Sequence, residues 1–132
     1  MDYNTKKELE ANSYTCDTSF LHSLFVKNDT NHSVAVDIFL KINSDAKYII
    51  PYIVVAELLM AEVEKGQFIE ACKNLASSFM ENVTSDLQFI QTLPIATRKS
   101  LKANDCLILG INKRTKSTLL TFDKKLYKKS QI

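Results

Sequence analysis

Residues 47–60 read KYIIPYIVVAELLM. The first five, KYIIP, have the continuous apolar make-up of a strand buried on both faces, the type found in parallel sheets. From Tyr52 the apolar character continues well beyond the length of a strand, which predicts a helix over residues 52–65 stopped by Gly66. One carboxylate interrupts that run. On a helix, the same-face neighbours of Glu57 at i±3 and i±4 are Ile53, Val54, Met60 and Ala61, all apolar. Glu57 therefore emerges on the core-facing stripe, where an unpaired charge is costly.

Strands and helices alternate outward from this unit. Residues 13–17 (SYTCD) form a strand candidate, and Thr18-Ser19 offers a hydroxyl N-cap to a helix through SFLHSLFVK. Polar residues 28–31 break the chain before a second helix over 33–42, where Val34, Ala35, Ile38, Phe39 and Ile42 follow the helical period. Residues 67–81 read as an amphipathic helix and 86–90 as a strand ahead of the breaker Pro94. Asn104 is the expected N-cap of a helix over 104–114, residues 117–122 (STLLTF) form a strand, and 124–129 a short last helix or tail. Such alternation implies one α/β domain over residues 13–132. Its central sheet is expected to be mainly parallel, of about four to five strands, with helices on both faces. The polar stretch 1–12 precedes it as an extension, expected to be disordered.

Composition narrows the chemistry. The chain has 132 residues, 45% hydrophobic and 24% charged, which describes a globular protein with one core. Only two glycines, Gly66 and Gly110, are present, so neither GxGxxG nor GxxxxGK can be written. The longest uncharged apolar stretch, residues 48–56, is less than half the ~20 residues of a membrane span, so no membrane association is expected. Met1 to Asn12 lacks the apolar segment of a secretory signal. Cys16, Cys72 and Cys106 are an odd number without metal-binding spacing and fit reduced thiols in a cytoplasmic protein. The net charge of +2 hides an asymmetry. Residues 1–98 hold 8 basic and 13 acidic side chains, whereas residues 99–132 hold 9 basic and 2 acidic. A basic C-terminal quarter suits a polyanion such as nucleic acid, and equally a solvated lysine-rich tail.

Most acids sit among polar neighbours, but Asp17 (TCDTSFL), Glu57 (VVAELLM), Asp105 (NDCLILG) and Asp123 (LTFDKK) do not. Asp37, in the apolar run VAVDIFL, is the control: Lys41 at i+4 is an ion-pair partner and places it on a solvent face. Asp105 falls in the first turn of its helix, favoured there by the macrodipole, yet Ile108 and Leu109 tilt it inward. Asp17 and Asp123 each follow an apolar strand. Helix capping accounts for either taken singly. Acids beyond the carboxyl ends of parallel strands also line the crevice where α/β sheets bind ligands. Gathered at one sheet edge, four carboxylates would repel one another, and a hard divalent cation is the usual remedy. Oxygen-only ligands point to Mg²⁺ or Mn²⁺ as cofactor, and such sites support phosphoryl transfer. His22 and His32 read as packing residues rather than ligands.

The ordered set CDTSFLHSLF, IIPYIVVAELLM, LKANDCLILGI and TLLTFDKKL resembles a PIN domain from about residue 14 to residue 127. By size it is most similar to the toxin ribonucleases of VapBC-type toxin–antitoxin pairs. The resemblance implies a Mg²⁺- or Mn²⁺-dependent endoribonuclease with Asp17, Glu57, Asp105 and Asp123 as metal-holding, catalytic residues. Ser19 and Thr121 match supporting hydroxyl positions. RNA would be the substrate, a cognate antitoxin the partner, and a homodimer the assembly. Lys99, Lys102, Lys113 and Arg114 would then guide the RNA backbone. The stretch between Ile90 and Asp105 is short for the family, which implies that the helix usual there is cut down. The alternatives are a PIN-fold nucleic-acid-binding or regulatory module without nuclease activity, and a phosphoacceptor domain. The phosphoacceptor reading wants an acidic pair at the first strand, and Tyr14-Thr15-Cys16 precedes Asp17.

Overall fold

The computed structural model describes residues 6–60, 76–78 and 101–131. Its elements in chain order are α1 (Lys6–Leu9), β1 (Ser13–Cys16), α2 (Thr18–Phe25), α3 (His32–Lys41), β2 (Lys47–Ile49), α4 (Tyr52–Met60) and β3 (Ala76–Ser78). Then follow α5 (Ala103–Thr115), β4 (Thr118–Leu120) and α6 (Lys124–Ser130). The four described strands form one sheet in the order β3-β2-β1-β4, and every pairing is parallel. This is the α/β architecture expected from the alternating pattern.

The core is made by the residues that periodicity marks. Tyr14 and Cys16 of β1, Ile50 after β2, Val54 and Leu58 of α4, Ile108 and Leu109 of α5 and Leu119 and Leu120 of β4 are buried in one apolar cluster. On α3, Ala35, Ile38 and the following Ile42 face that cluster. Val34, on the same apolar pattern, stays half exposed. Asp37 stands on the solvent side and pairs with Lys41 at 2.9 Å, as its spacing predicted.

The order of strands places the functional end of the sheet. Successive strands β1, β2 and β3 step one way, while β4 returns to the other side of β1. The β1–β4 junction is thus a topological switch point, where open parallel sheets leave a crevice beyond the carboxyl ends of their strands. Cys16 pairs with Leu120, and the Asp17 N–H donates to the Leu120 carbonyl at 2.9 Å. Asp17 and Thr121 therefore leave the sheet side by side.

Three expectations need correction. Residues 76–78, read as the interior of a helix over 67–81, form β3 instead. Ala-Ser-Ser has little strand preference of its own, so the parallel ladder offered by Tyr48 and Ile49 decides its conformation. Thr18 and Ser19 do not cap α2: Asp17 holds the N-cap position and makes no side-chain cap bond. Helix α5 starts at Ala103 with Lys102 at the N-cap, so Asn104 lies inside it. The strand expected at 86–90, Lys99, Cys72 and the rest of the helices expected over 52–65 and 67–81 lie outside the described residues.

Of the polar extension, residues 6–12 carry α1 and pack on the fold. Leu9 and Ala11 lie against the core, the Tyr14 hydroxyl donates to the Glu8 carbonyl at 2.6 Å, and the Tyr127 hydroxyl donates to Glu8 Oε1 at 2.9 Å. Among the described residues, no helix is long and apolar enough to cross a membrane.

Candidate metal centre and cleft

Asp17 is the most deeply set of the four acids, 5% exposed. A buried carboxylate is tolerated when its oxygens are hydrogen-bonded, and here two hydroxyls converge on one of them. Ser19 Oγ donates to Asp17 Oδ2 at 2.8 Å and Thr121 Oγ1 donates to the same oxygen at 2.6 Å. Both hydroxyls also brace the loop after β4. Ser19 Oγ accepts from the Phe122 N–H at 2.9 Å, and Thr121 Oγ1 accepts from the Asp123 N–H at 3.0 Å. The two residues expected to support the site thus tie its first and last segments together.

Glu57, half-buried on α4, accepts a hydrogen bond from Thr18 Oγ1 at 2.7 Å. The contact answers the problem posed by a lone acid on an apolar stripe. Its partner is a hydroxyl one residue beyond Asp17, in the helix turn that capping logic assigned to a different task. Asp123 does cap: its Oδ1 accepts from the N–H groups of Lys125 and Leu126 at 2.9 and 3.1 Å. The capping account is therefore right for Asp123 and wrong for Asp17. Asp105 sits half-buried in the first turn of α5. Burial, and then the charges of Asp17, Asp123 and Glu57, push its carboxyl above the usual carboxylate range, with Lys102 opposing them.

All four acids line one open cleft of about 470 Å³, together with Thr18, Ser19, Lys102, Asn104 and Phe122. The α2–α3 connection supplies a further wall, described below. Of the expected RNA-guiding cations, Lys102 lines the cleft, while Lys113 and Arg114 lie in the last turn of α5, more than about 10 Å further along the helix axis. Lys113 Nζ donates to the Ser130 carbonyl at 2.8 Å, joining α5 to the end of α6.

The donor set suits a hard divalent cation. It is all oxygen, and Asp17, Glu57 and Asp123 each have one carboxylate oxygen fixed by hydrogen bonds, which orients the other. Among the described residues, no three His, Cys, Asp or Glu side chains stand close enough to chelate one ion by themselves. Mg²⁺ sites commonly use one or two carboxylates, with water or substrate phosphates completing the shell.

The crowding has a measurable consequence without metal. A carboxyl whose pKa is higher folded than unfolded favours the folded state when protonated. The penalty is absent below the unfolded pKa and fully present above the folded one. In chelator, Asp105→Asn should gain stability relative to wild type as pH rises from about 4 to about 7, read by urea unfolding at each pH. A difference that stayed constant over that range would show that neither burial nor the other acids raise the Asp105 carboxyl.

Residues 14–131 match the PIN domain family, and the chain belongs to it. Its fold is similar to that of the VapC20 toxin of Mycobacterium tuberculosis, described as cleaving the sarcin–ricin loop. That similarity has a TM-score of 0.67 at 14% identity and covers 88% of this chain and 94% of the other. A chain of VapBC2 from Rickettsia felis, in a structure bound to a DNA fragment from its promoter, is similar with a TM-score of 0.64 at 17% identity. There the coverage is 89% of this chain and 92% of the other. No curated protein matches the sequence.

Proposed function

We propose that this protein is a metal-dependent endoribonuclease of the toxin–antitoxin type. The observation that carries the reading is the convergence of Asp17, Glu57, Asp105 and Asp123 on one cleft at the β1–β4 switch point. Membership of the PIN family and the likeness in fold to two VapC-type proteins support it. The cofactor would be Mg²⁺ or Mn²⁺, the substrate RNA, and the partner a cognate antitoxin; a homodimer is the proposed assembly.

Asp17 and Glu57 would hold the ion from β1 and α4, with Asp105 and Asp123 completing the acidic wall. A divalent ion bound there would supply charge neutralisation at the scissile phosphate and a water acidic enough to attack it, leaving a 5′-phosphate and a 3′-hydroxyl. Ser19 and Thr121 orient Asp17, because both donate to one of its oxygens. Thr18 does the same for Glu57. Lys102, exposed at the cleft rim, offers the strand a phosphate contact.

Mn²⁺ binding measured by calorimetry tests this without knowledge of the RNA target. Wild type is expected to take up the ion, and Glu57→Gln to bind it about 10-fold or more weakly, since an amide retains only one of the two oxygens. No uptake by wild type, alone or with a short uncleavable RNA present, would leave the second reading, a PIN-fold binding module without nuclease activity.

A further inference from the structure

The cleft has a second polar wall that the metal chemistry does not use. It is built by the α2–α3 connection, from His22, Ser23, Asp29, Thr30 and Asn31. At its centre is Asp29, whose two oxygens collect three donors. Oδ1 accepts from Ser23 Oγ at 2.9 Å and from the Asn31 N–H at 2.8 Å, and Oδ2 lies 2.8 Å from His22 Nδ1. The Asn31 N–H first, then Ser23 and His22, hold the Asp29 carboxyl below the usual range against the effect of burial. Behind it, Ser23 is 3% exposed, and its carbonyl lies 2.8 Å from His32 Nδ1. The wall is therefore held by hydrogen bonds, and His22 is the ring it contributes to the cleft lining.

An ionised carboxylate with its other oxygen already occupied needs a proton from the imidazole, so His22 Nδ1 carries the hydrogen. In the neutral ring Nε2 is then a lone-pair acceptor, and among the described residues no group donates to it. To the neutral ring a phosphate offers only acceptors and cannot satisfy such an atom, so the test belongs at about pH 8, above the ordinary histidine range. A ribose 2′-hydroxyl can, and it is the group that distinguishes RNA from DNA.

We propose that His22 is a specificity-determining residue that accepts a hydrogen bond from a ribose 2′-hydroxyl of the strand in the cleft, with Asp29 as the positioning residue that fixes its tautomer. The assignment rests on the nuclease reading above and adds the means by which RNA is preferred.

Two fluorescent 12-nucleotide pools of random sequence, one ribose and one deoxyribose, test it by anisotropy with Ca²⁺ as the divalent ion. Wild type is expected to bind the RNA pool more tightly. His22→Ala should reduce the RNA-over-DNA ratio about three- to tenfold, the worth of one hydrogen bond, mainly by weakening RNA. His22→Phe keeps the ring's bulk without its acceptor and should give the same result, which separates loss of Nε2 from loss of packing. A ratio unchanged in both variants, or an equal loss on both pools, would overturn the assignment alone. Binding of neither pool by wild type would remove the nuclease reading and this assignment with it.

Discussion

Asp105→Asn is expected to abolish RNA cleavage, by at least about 100-fold, the scale on which even the outer partners of metal ligands are felt. The side chain keeps its shape and loses its charge at a point where burial, and then three other carboxylates, raise its pKa. Loss of activity with an unchanged or improved metal-free fold is the signature of a functional acid, because its removal relieves repulsion. Asp37→Asn is the matched control. It removes an acid from an equally apolar run, but one that is exposed and paired with Lys41, and cleavage should be unaffected. Gel-based cleavage of a defined RNA with Mn²⁺, alongside urea unfolding in chelator, reads both halves. An Asp105→Asn protein that cuts at the wild-type rate would remove that residue from the site.

The largest effect on stability is expected at Leu120. It is fully buried in the apolar cluster at the end of β4, and its carbonyl receives the Asp17 N–H. Leu120→Ala should cost about 2–5 kcal/mol and lower Tm by on the order of 10 °C, since the backbone pairing that defines the strand limits collapse around the void. Leu40, 74% exposed on α3, serves as comparison, and Leu40→Ala should stay within about 0.5 kcal/mol of wild type. Denaturant midpoints with unchanged m-values would establish both. A Leu120→Ala midpoint equal to that of Leu40→Ala would mean that the β1–β4 junction is not the packed centre described.

The parts of this molecule legible in its sequence are those decided by local pattern. Continuous apolar runs marked β2 and β4, and hydrophobic period marked the helices around them, because burial dominates each. Glu57 stood out for the opposite reason: an acid on an apolar stripe needs a partner, and the structure supplies the Thr18 hydroxyl. What could not be read depends on neighbours distant in the chain. Ala76–Ser78 becomes a strand only because β2 offers it a ladder, with a register shift between Tyr48 and Ile49 to accommodate it. Thr18 has the chemistry of a helix cap, and only the approach of α4 directs its proton to a carboxylate. His22, read as a packing residue, and Asp29, read as part of a polar break, line the cleft for a similar reason. Asn28-Asp29-Thr30-Asn31 has the composition of any polar turn, and nothing local distinguishes it from a wall of the cleft. The one available signal was the pairing of a histidine with an acid seven residues on, which is weak without the fold.

The bonds from Thr121 to Asp17 and from Phe122 to Ser19 join positions 104 and 103 residues apart. On a ribosome, Asp17 and its near partner Ser19 are made early, and the Thr121 hydroxyl arrives only after β4 has been translated. A nascent chain lacking β4 would leave the edge of β1 unpaired and Asp17 without either the Thr121 hydroxyl or the facing Asp123. Full assembly of the cleft therefore needs β4 and the residues just after it, so a product cut short before β4 would carry an incomplete site.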